Sequence, residues 1–206
     1  MRYGQTLLLV LIMAGSLCSV GCSAKKSSKV GFISDYSQLE PAGDTSMRYL
    51  APGNLIGNYE AFIIDPVAIH FHGQAEGVKE SREDAQNLAI YMRGALVDAI
   101  SDKYKVVSRP GPNVARVRVA LTDVKKSSPA LNTLPQSKLI GMGLGGAAME
   151  GEIVDSQSGV QLAALIESRL GERLSLDGLS KWGDAKAVID GWAERFRDRL
   201  DEAHGQ

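Results

Sequence analysis

Apolar residues recur at helical spacing in two places. Leu88, Met92, Leu96 and Ile100 fall four apart, flanked by Ala85, Ala89, Ala95 and Ala99, which makes one apolar face over about five turns. Ser81 with Asp84 three residues on resembles a capping box and predicts the start of that helix. Near the end of the chain Ala185, Val188, Ile189, Trp192, Phe196 and Leu200 mark the buried stripe of a second helix, starting near Asp184. Strand periodicity is clearest over Val114–Val124, where Val117, Val119 and Leu121 alternate with Arg116, Arg118 and Thr122, predicting one wet face. Ala61–Ile69 reads as a strand whose Pro66 implies an edge or a bulge. Met149–Asp155 and Val160–Glu167 flank Asp155-Ser156-Gln157-Ser158-Gly159, a hairpin signal. Tyr104–Ser108 is a further short strand, residues 31–58 an irregular lead-in, and 127–146 a long connection. The order β-α-β-β-β-α predicts an α+β two-layer sandwich: a mixed, mostly antiparallel sheet of about four strands with two long helices on one face.

The N-terminus has a different pattern. Arg2 precedes the apolar run Leu7–Ala14, and small residues follow to Ser19-Val20-Gly21-Cys22, the layout of a secretory signal. The apolar stretch is shorter than the roughly 20 residues of a spanning helix. The last four residues resemble a lipobox, at which a lipoprotein signal peptidase cuts before a cysteine that is then acylated. Residues 1–21 are thus expected to be a signal peptide, 22–30 a lipidated flexible tether, and 31–206 one periplasmic domain. Cleavage removes Cys18 and acylates Cys22, leaving a fold without disulfides, which a domain of this size tolerates. Two or more acyl chains anchor stably where one is marginal. Ser23 after the cysteine implies, by analogy with lipoprotein sorting, the outer membrane, with the domain facing the periplasm.

A formal net charge of −1 over 206 residues excludes a basic nucleic-acid footprint. Little else points to chemistry. His70 and His72 would share a strand face and could offer two imidazoles to a metal, with Glu76 or His204 as further ligands, but two ligands under-specify a site. Gly141–Gly146 lacks the Lys and Ser/Thr of a phosphate loop. Glu150 and Glu152 could form a hydrolytic carboxylate pair; their alternation with Met149 and Ile153 favours a solvated strand face. Ser23 and Lys26 lie in the tether, where nothing rigid would hold them. The arginines at 116, 118, 195, 197 and 199 read as solvated surface, or as a site for an anionic partner. Trp182 reads as a staple ahead of the last helix, or with Arg48 and Tyr49 as a partner surface. A pocket of Tyr36, Arg48 and Tyr49 would suit a small ligand.

Six segments in order resemble a family of uncharacterised bacterial lipoproteins known as a domain of unknown function: Gly31-Phe32 with Asp35–Leu39, Arg48-Tyr49 with Pro52-Gly53, Asp65-Pro66-Val67, Leu121–Val124, Asp155–Gly159, and Trp182-Gly183-Asp184. The resemblance spans the mature chain and implies no activity or catalytic residue. The topology also looks like small envelope domains of curli-export-type lipoproteins. Together these readings predict a non-enzymatic, lipid-anchored envelope protein without cofactor, acting as a binding or adaptor module for an unknown envelope protein or itself. The alternatives are a peptidoglycan or small-ligand binder and a metal-handling protein using His70 and His72.

Overall fold

The computed structural model describes residues 29–205 except 72, 74, 81, 133–143 and 173–176. Its strands are β1 (Glu40–Pro41), β2 (Ser46–Leu50), β3 (Ala61–Ile64), β4 (Ala68–Ile69), β5 (Lys105–Val106), β6 (Val114–Lys125), β7 (Gly146–Asp155) and β8 (Gln161–Leu170). The helices are α1 (Arg82–Ile100), α2 (Pro129–Asn132) and α3 (Gly183–Ala203). All eight strands join one sheet in the order β1-β2-β8-β7-β6-β3-β5, with β4 also paired to β6. The pairs from β1 to β6 along this path are antiparallel, whereas β3, β4 and β5 run parallel to their neighbours.

The expected sheet of about four strands under two long helices is therefore corrected: the described residues form a sheet of eight strands accompanied by three helices. The strands missing from the expectation, β1 and β2, are short: two and five residues, too few for period-2 alternation to stand out among glycines and prolines. The short strand read over Tyr104–Ser108 is present as β5. The strand read over Ala61–Ile69 is split at Asp65-Pro66-Val67 into β3 and β4, both hydrogen-bonded to β6. Pro66 has no N–H for a ladder, so the break falls where the ladder could not continue. The sheet's edge strands β1 and β5 are minimal, and β1 carries Pro41.

The main core lies between the sheet and the two long helices. Leu88, Met92, Leu96 and Ile100 of α1 meet Val188, Ile189, Trp192 and Leu200 of α3 over Val117, Val119 and Leu121 of β6. These are the apolar stripes expected from the sequence. A smaller cluster, Ile33 and Leu39 with Ala164 and Ile166, lies on the other face of β8. Here the chain preceding β1 covers the sheet, adding a partial third layer. Among the described residues no helix is long and apolar enough to cross a membrane.

Polar contacts tie the ends of α1 and α3 together. The Tyr104 hydroxyl donates to Asp201, which also pairs with Lys103 at 3.0 Å and with Arg197 Nε at 3.0 Å. Arg197 reaches on to Asp102. Chiefly through the Tyr104 hydrogen bond, and then Lys103 and Arg197, the Asp201 carboxyl is held down to about 2. Because its folded pKa is depressed below 3.8, its contribution is present above that value and lost as pH falls through about 2. Asp201→Asn should therefore flatten the decline of Tm between about pH 4 and pH 2. Superimposable Tm–pH curves for variant and wild type would contradict this.

Candidate functional site

Residues 29–36 form a strap across the face of the sheet opposite the helices. An extended chain directs the N–H groups of alternate residues to one edge. Here the N–H groups of Val30, Phe32 and Ser34 point down at β7. Val30 donates to Glu150 Oε1 at 2.7 Å, Phe32 to Glu150 Oε2 at 3.2 Å and Ser34 to Glu152 Oε2 at 3.0 Å. The Ser34 hydroxyl adds a bond to Glu152 at 2.6 Å, and Gln161 Nε2 another at 2.9 Å. The Tyr36 hydroxyl accepts from the Ile33 N–H at 3.0 Å and donates to Glu150, which closes the strap into a turn. Burial, and then the bond to Glu150, push the Tyr36 phenol above its usual range. Gly31 (φ +85°) takes the left-handed conformation that lets the strap bend between its first two bonds.

Glu150 and Glu152 are thus not a solvated face: they are 0% and 2% exposed. Nor is the arginine face of β6 simply wet. Arg118 Nη1 pairs with Glu152 Oε1 at 2.7 Å and its guanidinium lies 5.4 Å from the Phe32 ring centroid. Arg116 pairs with Asp65 at 3.3 Å. A buried carboxylate is costly unless paired and hydrogen-bonded; here the strap supplies the donors and Arg118 a countercharge. Both carboxylates are occupied holding backbone, so their position is that of a clamp. Nothing local in the sequence shows that a segment about 120 positions earlier covers them.

Beside the strap, on the same face, lies an open cavity of about 720 Å³. Its floor is the start of β7 (Gly146–Ala148) with the end of β8, and its rim includes Asp44 in the β1–β2 turn, Glu76, and Lys125 at the end of β6. Asp123 is engaged by the Gly77 N–H at 3.0 Å.

The other sequence candidates are dispersed. His70 is exposed at the end of β4, with the Phe32 ring edge-on at 5.5 Å. His204 lies with both ring nitrogens against backbone carbonyls, Leu200 at 2.7 Å and Tyr59 at 3.0 Å, and is not beside His70. Among the described residues no three His, Cys, Asp or Glu side chains cluster as metal ligands. Tyr36 and Tyr49 meet around the small core cluster under the strap, whereas Arg48, the neighbour of Tyr49 on β2, is exposed and points to the opposite face. Trp182 precedes α3 and packs on the main core, with the Lys181 ammonium 5.1 Å from its ring. Arg195 and Arg197 pair with Glu167 and with Asp102 and Asp201, while Arg199 is exposed. Cys22, Ser23, Lys26, His72, Ser81 and residues 141–143 lie outside the described residues.

Three aspartates of the motifs quoted above act as fasteners. Asp155 Oδ1 accepts from the Ser158 N–H and hydroxyl and from the Gln157 N–H, shaping the β7–β8 turn, and chiefly through the Ser158 bonds its carboxyl lies below the usual range. Asp123 holds Gly77. Asp184, fully buried, takes the Ser127 hydroxyl at 2.8 Å and the Gly145 N–H at 2.7 Å on Oδ2.

The strapped eight-stranded sheet under two long helices defines an α+β domain whose distinctive polar contacts fasten its own backbone. The chain belongs to the family of proteins of unknown function DUF3313, whose model matches residues 28–196. No curated protein sequence matches it. Among solved structures it is similar to the PelC dodecamer from Paraburkholderia phytofirmans (11% identity, 76% of this chain and 96% of that one, TM-score 0.48). It is also similar to a DUF330-family protein from Xanthomonas campestris (7% identity, 76% and 94%, TM-score 0.41). Both are distant likenesses of fold and bear on neither site nor assembly.

Proposed function

We propose that this chain is an outer-membrane lipoprotein, acylated on Cys22 and facing the periplasm, whose domain is a non-enzymatic binding or adaptor module. The observation that carries this reading is the clamp. The end of the expected tether, at Val30, and the residues that follow it are held through three backbone N–H groups on two buried carboxylates. A long loose linker lets a domain sample all orientations; bonding the linker's end to the sheet shortens the free tether and narrows the faces the domain can turn to a partner. The seven Cα–Cα steps from Cys22 to Lys29 span at most about 25 Å, so that partner belongs to the envelope.

Palmitate labelling of the full-length protein should be lost in Cys22→Ser; label retained in that variant places the acyl chain elsewhere and ends the anchor reading. In-cell crosslinking of the wild type should then capture one dominant envelope protein. Self-crosslinks alone would make the domain a homo-oligomer, and no protein product would remove the adaptor role. The 720 Å³ cavity favours a second reading, a lipoprotein that binds a small ligand or peptidoglycan, since it lies in the size range of ligand sites.

A further inference from the structure

The strap has a direction. Val30, Phe32 and Ser34 meet Glu150 and Glu152 in ascending order, so the strap runs alongside β7 in the same sense. Val30, at the described start of the strap, therefore lies on the side of the start of β7, where Gly146–Ala148 floor the cavity. With the anchor at Cys22, which is the reading above and on which this orientation rests, the cavity end of the sheet is the end nearest the membrane.

The cavity's charges are unusual for a place inside the fold's own network. Glu167, which also lines it, is buried and paired with Arg169 and Arg195, and Asp123 holds Gly77. Asp44, Glu76 and Lys125 line the same cavity and form no ion pair with any described residue. Two carboxylates accept only, and an ammonium donates only. The complement of that set is a zwitterion: a primary ammonium for Asp44 and Glu76, and an anion for Lys125. Thr122 and Ser168 supply hydroxyls beside small residues that leave the floor open.

We propose that the cavity receives the phosphoethanolamine headgroup of a membrane phospholipid, with the ammonium at Asp44 and Glu76 and the phosphate at Lys125. The recognition discriminates by hydrogen bonding, because a trimethylammonium group has no N–H to give the carboxylates. The contact would steady the domain on the surface to which it is tethered.

The test uses the whole mature chain carrying Cys22→Ser, so that no acyl chain contributes, floated with vesicles of phosphatidylcholine alone or mixed with phosphatidylethanolamine or phosphatidylglycerol. The expected result is binding to the phosphatidylethanolamine vesicles at least about tenfold tighter than to either other kind. Lys125→Ala and the double variant Asp44→Ala/Glu76→Ala should each lose most of that preference with Tm unchanged, whereas Lys105→Ala on the far edge strand keeps it. Equal binding to all vesicles, no binding, or an undiminished preference in the cavity variants would overturn the proposal. Soluble glycerophosphoethanolamine that shifts the Lys125 amide in an NMR titration would support the headgroup itself as the ligand; shifts confined to residues away from the cavity would count against it. Since the readout is on the unacylated chain, a wild type without palmitate on Cys22 would strike the anchor reading and leave the vesicle result standing.

Discussion

Replacing Glu150 and Glu152 together by alanine should release the strap while the rest of the domain stays folded. The clamp consists of five donor bonds from the strap, counting Tyr36 and the Ser34 hydroxyl. Bonds to a charged group contribute about 1.5–3 kcal/mol each. Against them stands the ordering of the backbone, about 1–2 kcal/mol per residue. Over the strap the two nearly cancel, so without the carboxylates only the burial around Ile33 is left against its entropy, and that does not suffice. The amides of Val30, Phe32 and Ser34 should then exchange as fast as in a peptide. Global stability should fall by only about 2–4 kcal/mol, from lost burial around Ile33 and an unpartnered Arg118, because the main core does not involve the strap. In a domain of this size that is a drop in Tm of roughly 5–12 °C. Amide protection that survives in the double variant would show that Ile33 and Leu39 hold the strap without the clamp.

The second large effect is expected at Asp184. Its side chain joins three connections at one end of the sheet: Ser127 after β6, Gly145 before β7, and Gly171 after β8, whose N–H bonds to the Gly145 carbonyl at 3.0 Å. The packing is close enough that a Cβ on Gly171 would lie 2.5 Å from Asp184 Oδ1. Asp184→Ala strands a buried hydroxyl and a buried N–H, each at about 1–3 kcal/mol, and leaves a void. Removing a buried carboxylate returns part of this, since Oδ1 has no hydrogen bond to compensate its desolvation. The donors outnumber that gain, and the net loss should be about 2–4 kcal/mol. Asp184→Asn, which keeps a carbonyl for the two donors, should lose clearly less. The comparison is made by urea unfolding at constant m-value; an alanine variant as stable as the asparagine one would refute the fastening role.

The parts of the fold that could be read from the sequence are those where one periodicity runs long enough to exclude the other. Leu88 to Ile100, Ala185 to Leu200 and Val114 to Val124 all lie in the elements expected. β2 escaped because Met47 and Tyr49 are its only two inward residues and Leu50, equally apolar, is exposed. The more instructive failure is at Glu150 and Glu152. Alternation reports that the two faces of a strand differ in polarity, and a polar face is ordinarily wet. It carries no information about a distant segment that brings its backbone N–H groups to that face. The one available hint was Arg118, which sits directly across from Glu152 in the ladder. The motifs Leu121–Val124, Asp155–Gly159 and Trp182–Asp184 were legible as a family signature, but their aspartates fasten turns, so they mark the architecture and leave the chemistry unstated.

The brevity of the edge strands gains meaning on a crowded surface. Molecules confined to a plane collide at far higher effective concentration than the same number in free solution. A long open strand would then recruit its neighbours into fibres. Here Glu40 and Pro41 occupy the flank of β2, pairing with Arg48 and Met47, and the opposite border ends in two residues, Lys105 and Val106. Neighbouring copies find too few vacant amides to extend a ladder. Held on a membrane as proposed above, copies of this protein can therefore crowd without joining edge to edge.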